Sequence, residues 1–224
     1  MLFAAGLGTR MKALTANTPK PLLPVSGRTL LARSLDVIRA ANLSRIVVNT
    51  HYLAGQIEAA VADQPDVLVS REHPDLLDTG GGLKKALPLL GPGPVFTLNS
   101  DSVWTGPNPL KQLRDHWDPQ KMDALLLLVP KERATGHLGA GDFTVEAQGR
   151  LTRGADYIYP GAQIISTDGL KWVRETAFSL NIMWDSMLLD ERVYGVVHPG
   201  GWCDVGHPGG IALAEEMLRE AGDV

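Results

Sequence analysis

The chain has 224 residues, of which 44% are hydrophobic and 21% charged, with a formal net charge of −4. That length suits one α/β domain with a substantial core, and the slightly acidic balance excludes a broad basic surface for nucleic acid or anionic membrane. A single cysteine, Cys203, excludes an internal disulfide, which fits a reducing compartment.

The N-terminal apolar run is short and lacks a basic leader. Nothing in the chain approaches the ~20 apolar residues needed to span a bilayer. The expectation is a soluble, cytoplasmic protein.

Residues 1–5 are apolar and lead straight into Gly6-Leu7-Gly8-Thr9-Arg10-Met11. A short apolar run before a glycine turn reads as a buried strand. Gly6 and Gly8 let the backbone bend and bring N–H groups close to a ligand. Such a loop is an anion cradle, and Arg10 and Lys20 put full positive charge beside it. A Gly-x-Gly turn alone is common, so the two cations carry the expectation of a triphosphate site. The loop is not a P-loop, because no Gly-x-x-x-x-Gly-Lys-Ser/Thr is present. It is not a dinucleotide fingerprint either, since the third glycine would fall at Met11.

Leu30, Leu31, Leu35, Val37 and Ile38 are spaced for a helix over residues 29–41. A β-branched strand follows over residues 45–49, a helix over 52–62 and a strand over 66–70. The alternation argues a parallel, doubly wound sheet. In such sheets ligands gather at the carboxyl ends of the strands, which puts residues 6–10, 49–51 and 71–82 on one rim. His51 is a candidate ligand contact, but a capping or turn-stabilising histidine is the simpler reading, because nothing near it in sequence demands a base.

Next comes Leu77-Asp78-Thr79-Gly80-Gly81-Gly82, opening a helix through Leu87. Three consecutive glycines are entropically expensive. Close approach of a flat base or sugar to bare backbone at a helix N-terminus would explain them. Lys84 and Lys85 read as solvated helix-face charges. Residues 94–98 predict a strand ending in Asn99-Ser100-Asp101, where a carboxylate could hold a phosphate-bridging Mg²⁺. As a bare pattern it could equally cap a turn.

A helix is expected over residues 109–117 and a strand buried on both faces over 124–130. A turn through His137–Asp142 leads to a strand at 143–146, and another strand runs over 157–166. Helices are expected over 170–176 and 180–190, with Trp184 as core and Asp185 as a cap, then a strand at 192–197. In Gly201-Trp202-Cys203-Asp204-Val205-Gly206-His207 the acid lies between a tryptophan and a turn glycine, a poor place for a carboxylate without a partner. Cys203 reads as a packed thiol. An amphipathic helix runs to about Ala221.

Gly6-Leu7-Gly8-Thr9-Arg10-Met11 with Lys20-Pro21-Leu22 resembles the signature of sugar-1-phosphate nucleotidyltransferases. The Asp78–Gly82, Ser100-Asp101, His137–Phe143 and Trp202–Gly206 segments extend the resemblance over nearly the whole chain. It is nearest to the N-acetylmuramate-1-phosphate uridylyltransferase type, with mannose-1-phosphate guanylyltransferase-like members close behind. Ala13 stands where the family has a proline, Ser100 where it has glycine, and His207 where it has threonine.

The resemblance implies a three-layer α/β/α Rossmann-like (GT-A-like) fold with a mostly parallel mixed sheet in one domain. The nucleotide part would be about residues 1–105 and the sugar-phosphate part about 106–224. It implies transfer of a nucleotide from a nucleoside triphosphate, with a lean to UTP, to a sugar 1-phosphate, with Mg²⁺ as cofactor. Arg10 and Lys20 would be catalytic. Ala4, Ala5, Gly6, Leu7, Gly8, Thr9, Asp78, Gly80, Gly81, Gly82 and Asn99 would meet the nucleotide, Asp142 and Gly161 the sugar phosphate, and Asp101 and Asp204 the metal. A catalytically silent sugar-nucleotide sensor stays open as a reading of another class, although a sensor would not need all four charged groups. A sugar transferase would want an Asp-x-Asp metal motif, and Asp101-Ser102-Val103 lacks its second acid.

Overall fold

A computed structural model describes residues 1–222. The first apolar run becomes β1 (Leu2–Phe3), and the β-branched and leucine-rich runs become β2 (Ile46–Thr50), β3 (Val67–Arg71), β4 (Val95–Asn99) and β5 (Ala124–Pro130). Later come β6 (Ala162–Ile165) and β7 (Val193–Val197). β1 lies between β2 and β4, parallel to both, with Leu2 opposite Val48 and Leu98. β3 extends the parallel part beyond β2, while β6 enters antiparallel between β4 and β5. β7 runs parallel to β5, and the outer strands Tyr157–Ile158, Phe143–Val145 and Leu151–Arg153 complete a ten-stranded mixed sheet.

Period-two alternation divides each central strand between two cores. Val47, Leu126, Leu128 and Ile165 face a cluster closed by α3 (Asp78–Leu90) and α5 (Asn181–Leu189). Ile46, Val48, Leu125, Leu127 and Ile164 face the opposite cluster, closed by α1 (Leu30–Ala40), α2 (Ala54–Val61) and α4 (Pro109–His116). The result is the expected three-layer α/β/α arrangement. A separate three-stranded sheet of Ser102–Trp104, Trp202–Asp204 and Ala134–Thr135 packs with α6 (Pro208–Ala221) at the carboxyl end of β4. Among the described residues no helix is long and apolar enough to cross a membrane.

Four expectations need correction. Residues 170–176 are not an α-helix but a short 3-10 turn over Asp168–Trp172, because Leu170 alone is buried there and nothing receives a second apolar face. The strand expected over 157–166 breaks at Tyr159-Pro160-Gly161, where Gly161 turns left-handed at φ 89°. Asp185 does not cap α5; it pairs with Arg153 at 2.6 Å. Lys84 is not fully solvated, since its ammonium donates to the carbonyl of Val173.

Candidate active site

Because β1 is central, the loop that follows it opens at the middle of the carboxyl edge, where parallel sheets bind ligands. Two neighbours grip its first peptide. The Ala4 N–H donates to Asn49 Oδ1 at 2.7 Å, and the Phe3 carbonyl accepts the Ser100 hydroxyl at 2.6 Å. The serine that replaces the family's glycine therefore adds a bond here, and its φ is not positive. Gly8 is left-handed at φ 66°, its bare Cα packed against Thr15 and Lys20, whereas Gly6 faces open space. Among the described residues no hydrogen bond engages the N–H groups of Ala5, Gly6, Leu7 or Gly8. They remain available to an anion.

A cleft of about 200 Å³ lies over this edge. Ala4, Ala5 and Gly6 line it with Asn49, Leu76, Asp78 and Thr79, and Lys20, Asn99 and Asp101 belong to the same lining. Lys20 forms an ion pair with Asp101, and the two side chains are only 14% and 21% exposed, so their attraction is less screened than that of a surface pair. Burial, the largest influence on Asp101, pushes its carboxyl up. The charge and hydrogen bond of Lys20, helped by Arg10, outweigh it and hold the group below the ordinary carboxylate range.

The small sheet brings Asp204 to the same edge, with Asp204 opposite Ser102 and the Val205 N–H donating to the Asp101 carbonyl at 2.9 Å. Asp204 is shifted upward, first by burial and then by the charge of Asp101, against the pull of Arg10, Lys20 and His137. Gly206 sits under both Asp204 and Arg10. A Cβ there would lie 2.7 Å from Asp204 Oδ1 and 3.0 Å from the Arg10 guanidinium nitrogens. Lys20 and Asp101 line the cleft, and Asp204 and Arg10 meet at Gly206, close enough for the charges of Asp101, Arg10 and Lys20 all to act on Asp204.

The charge of Asp101 opposes ionisation of Asp204, a repulsion that a divalent cation held by both would relieve. Two carboxylates, with water and substrate phosphate, would suit a hard divalent ion.

Other expected residues lie elsewhere. Gly80, Gly81 and Gly82 do not line the cleft but stand inside α3, buried. The N–H groups of Gly80 and Gly81 donate to the Phe178 carbonyl, and Cβ atoms at the three positions would strike Phe178, the Thr176 carbonyl and Glu72 at 2.4, 2.2 and 2.6 Å. On their Cβ side the glycines make room for the protein's own chain. Asp142 is exposed and accepts the Tyr159 N–H at 2.8 Å, holding the turn before Gly161. Gly161 backs onto Asn99, where a Cβ would come within 2.4 Å of the side-chain amide, so it supports a cleft residue from behind. Leu7 and Thr9 are exposed beyond the cleft.

Sequence reasoning missed Glu72, buried at 2% exposure, which binds both Asn49 and the Leu77 N–H. Its only signal was an acid directly following an apolar strand. His51 Nδ1 lies 3.1 Å from the Glu72 carbonyl, so it links the chain after β2 to the chain after β3. Cys203 is buried against the Gly210 carbonyl, and burial pushes its thiol up to about 12.

Residues 1–215 match the family described as the MobA-like NTP transferase domain. The chain is 38% identical to N-acetylmuramate alpha-1-phosphate uridylyltransferase of Caulobacter vibrioides, over 99% of this chain and 97% of that protein. It is 31% identical to the protein of that name in Neisseria meningitidis serogroup B, over 92% of each. In fold it is similar to the crystal structure of HddC from Yersinia pseudotuberculosis complexed with GMP-PN, with a TM-score of 0.76, 21% identity and 97% of each chain covered.

Proposed function

The chain belongs to the MobA-like NTP transferase family, and from that premise we propose that it joins UTP to N-acetylmuramate 1-phosphate, releasing pyrophosphate and forming the UDP-sugar. The meeting of Arg10, Lys20, Asp101 and Asp204 beside an unengaged row of backbone N–H groups carries the reaction class. The full-length similarity to two uridylyltransferases supports the base and the sugar.

A sugar-phosphate oxygen attacks the α-phosphorus in line, the bond to the β-phosphate oxygen breaks, and pyrophosphate leaves with that electron pair. The attacking phosphate is already ionised near neutral pH, so no strong general base is needed. The chain supplies position and charge neutralisation. Lys20 faces the α-phosphate, where negative charge builds as the nucleophile adds. Arg10 and the free N–H groups from Gly6 to Gly8 hold the β- and γ-phosphates that depart. Asp101 and Asp204 would hold Mg²⁺, which would supply further neutralisation of phosphate charge.

Pyrophosphate release from a panel of UTP, GTP, CTP and dTTP against several sugar 1-phosphates tests this. UTP with N-acetylmuramate 1-phosphate should be fastest. A preference for GTP with mannose 1-phosphate would overturn the base and sugar. No release from any pair, with nucleotide still bound, would leave a silent binding protein.

A further inference from the structure

Glu72 is a carboxylate at 2% exposure, and among the described residues no cation pairs with it. A buried carboxylate is tolerated only where donors satisfy it. Glu72 Oε1 accepts the Asn49 amide N–H at 2.7 Å, and Oε2 accepts the Leu77 backbone N–H at 2.8 Å. Asn49 in turn accepts the Ala4 backbone N–H at 2.7 Å. The line therefore runs from Ala4, through Asn49 and the buried Glu72, to the Leu77 N–H next to Leu76, and Ala4, Asn49 and Leu76 all line the cleft. The backbone of Glu72 is fixed as well, its N–H donating to the Thr50 carbonyl at 2.7 Å. Gly82 leaves room for the bridge, since a Cβ there would lie 2.6 Å from Glu72 Oε1 and 3.0 Å from Asn49 Nδ2.

We propose that Asn49 and Glu72 are positioning residues that set the separation of Ala4 and Leu76 in the lining of the nucleotide slot, and hence nucleotide affinity. The inference rests on the reading of this cleft as a nucleoside triphosphate site. The bridge has a required polarity. Both of its ends are backbone N–H donors. Two planar side chains link two donors when one is an amide and the other a carboxylate; a pair of acids could do so only by taking up a proton. Two amides leave an N–H facing an N–H, and two carboxylates leave oxygen facing oxygen. The amide and carboxylate can nevertheless trade places. With aspartate at 49 and glutamine at 72, the Ala4 N–H still meets an oxygen, the glutamine N–H donates to the aspartate, and the Leu77 N–H meets the glutamine oxygen.

The test compares wild type with Glu72→Gln, Asn49→Asp and the double variant Asn49→Asp/Glu72→Gln. Calorimetry gives the Kd for UTP, pyrophosphate release gives kcat and both KM values, and Tm reports the fold. Each single variant should weaken UTP binding about tenfold, the loss of one buried charge-assisted hydrogen bond, with the sugar-phosphate KM unchanged. The double variant should return UTP affinity to within about threefold of wild type, because it restores the polarity. Single variants that lower Tm but leave UTP affinity untouched would overturn the proposal, reducing the bridge to a packing feature. So would a double variant as weak as the singles. If a single variant does not fold, the double variant decides alone. A wild type that binds UTP without turnover would sink the proposed reaction and leave the bridge still measurable through Kd.

Discussion

At the scale of single residues, Lys20 and Asp101 are each explained by the other. Asp101 sits low because the charge of Lys20 outweighs burial. A carboxyl depressed in the folded state contributes stability that is present above its unfolded pKa and lost as pH falls through the folded one. Lys20→Ala should therefore destabilise the chain at neutral pH, and the deficit against wild type, read by urea unfolding, should vanish in acid below the depressed value, where Asp101 is protonated in both proteins. The same variant should lower kcat by ~100-fold or more, as expected for one charge-stabilising group. A change in KM alone would make Lys20 a binding residue only. This pair was half legible in the sequence. Lysine and aspartate types at the ends of a glycine loop and a strand suggested phosphate chemistry, but nothing showed that they hold each other. Glu72 shows the opposite limit, since an acid after a strand looks the same whether it ends in solvent or, as here, under a glycine helix.

At the scale of elements, long apolar runs announced the strands, and β5 falls on residues 124–130 as expected. Glycine was harder to interpret, because the sequence shows that a Cβ is absent and not what fills the space. Gly6 and Gly81 separate the two meanings. Gly6 has an ordinary φ and nothing within 4 Å of where its Cβ would be. Gly81 would place a Cβ 2.2 Å from the Thr176 carbonyl, a backbone atom with little freedom to retreat. Gly81→Ala should cost about 1–3 kcal/mol of stability through overpacking, despite the better helix propensity of alanine. Gly6→Ala should change stability by less than about 0.5 kcal/mol and yet raise the nucleotide KM, because Gly6 lines the cleft and a methyl there narrows it. Chemical denaturation and pyrophosphate release together check both. The failed helix at residues 170–176 has a related cause. That stretch gives carbonyls to its neighbours, Val173 to Lys84 and Thr176 to the Gly81 surface, instead of burying a face of its own.

For the whole molecule, the question is how charged groups from four separate segments arrive together. A third, small core supplies the answer. Met11, Leu23, Val25, Val103, Cys203 and Val205 are all buried in one cluster, closed from behind by Ala214 and Leu218 of α6. Met11 follows Arg10, Leu23 lies three residues after Lys20, Val103 lies two after Asp101, and Cys203 and Val205 flank Asp204. The apolar neighbours of the four charged residues thus share one cluster, and α6 packs against the segments that carry Met11, Val25 and Cys203. Leu218→Ala should remove about 2–5 kcal/mol, the usual range for a buried leucine. It should also lower kcat severalfold at a temperature where the variant is fully folded, because Asp204 and the Arg10 loop lose their common support. Met187→Ala provides the contrast, since Met187 is also buried but projects from α5 into a different cluster. It should cost comparable stability and leave kcat as in wild type. If both variants slow turnover alike, general loosening is responsible and the small core has no special part in assembling the site.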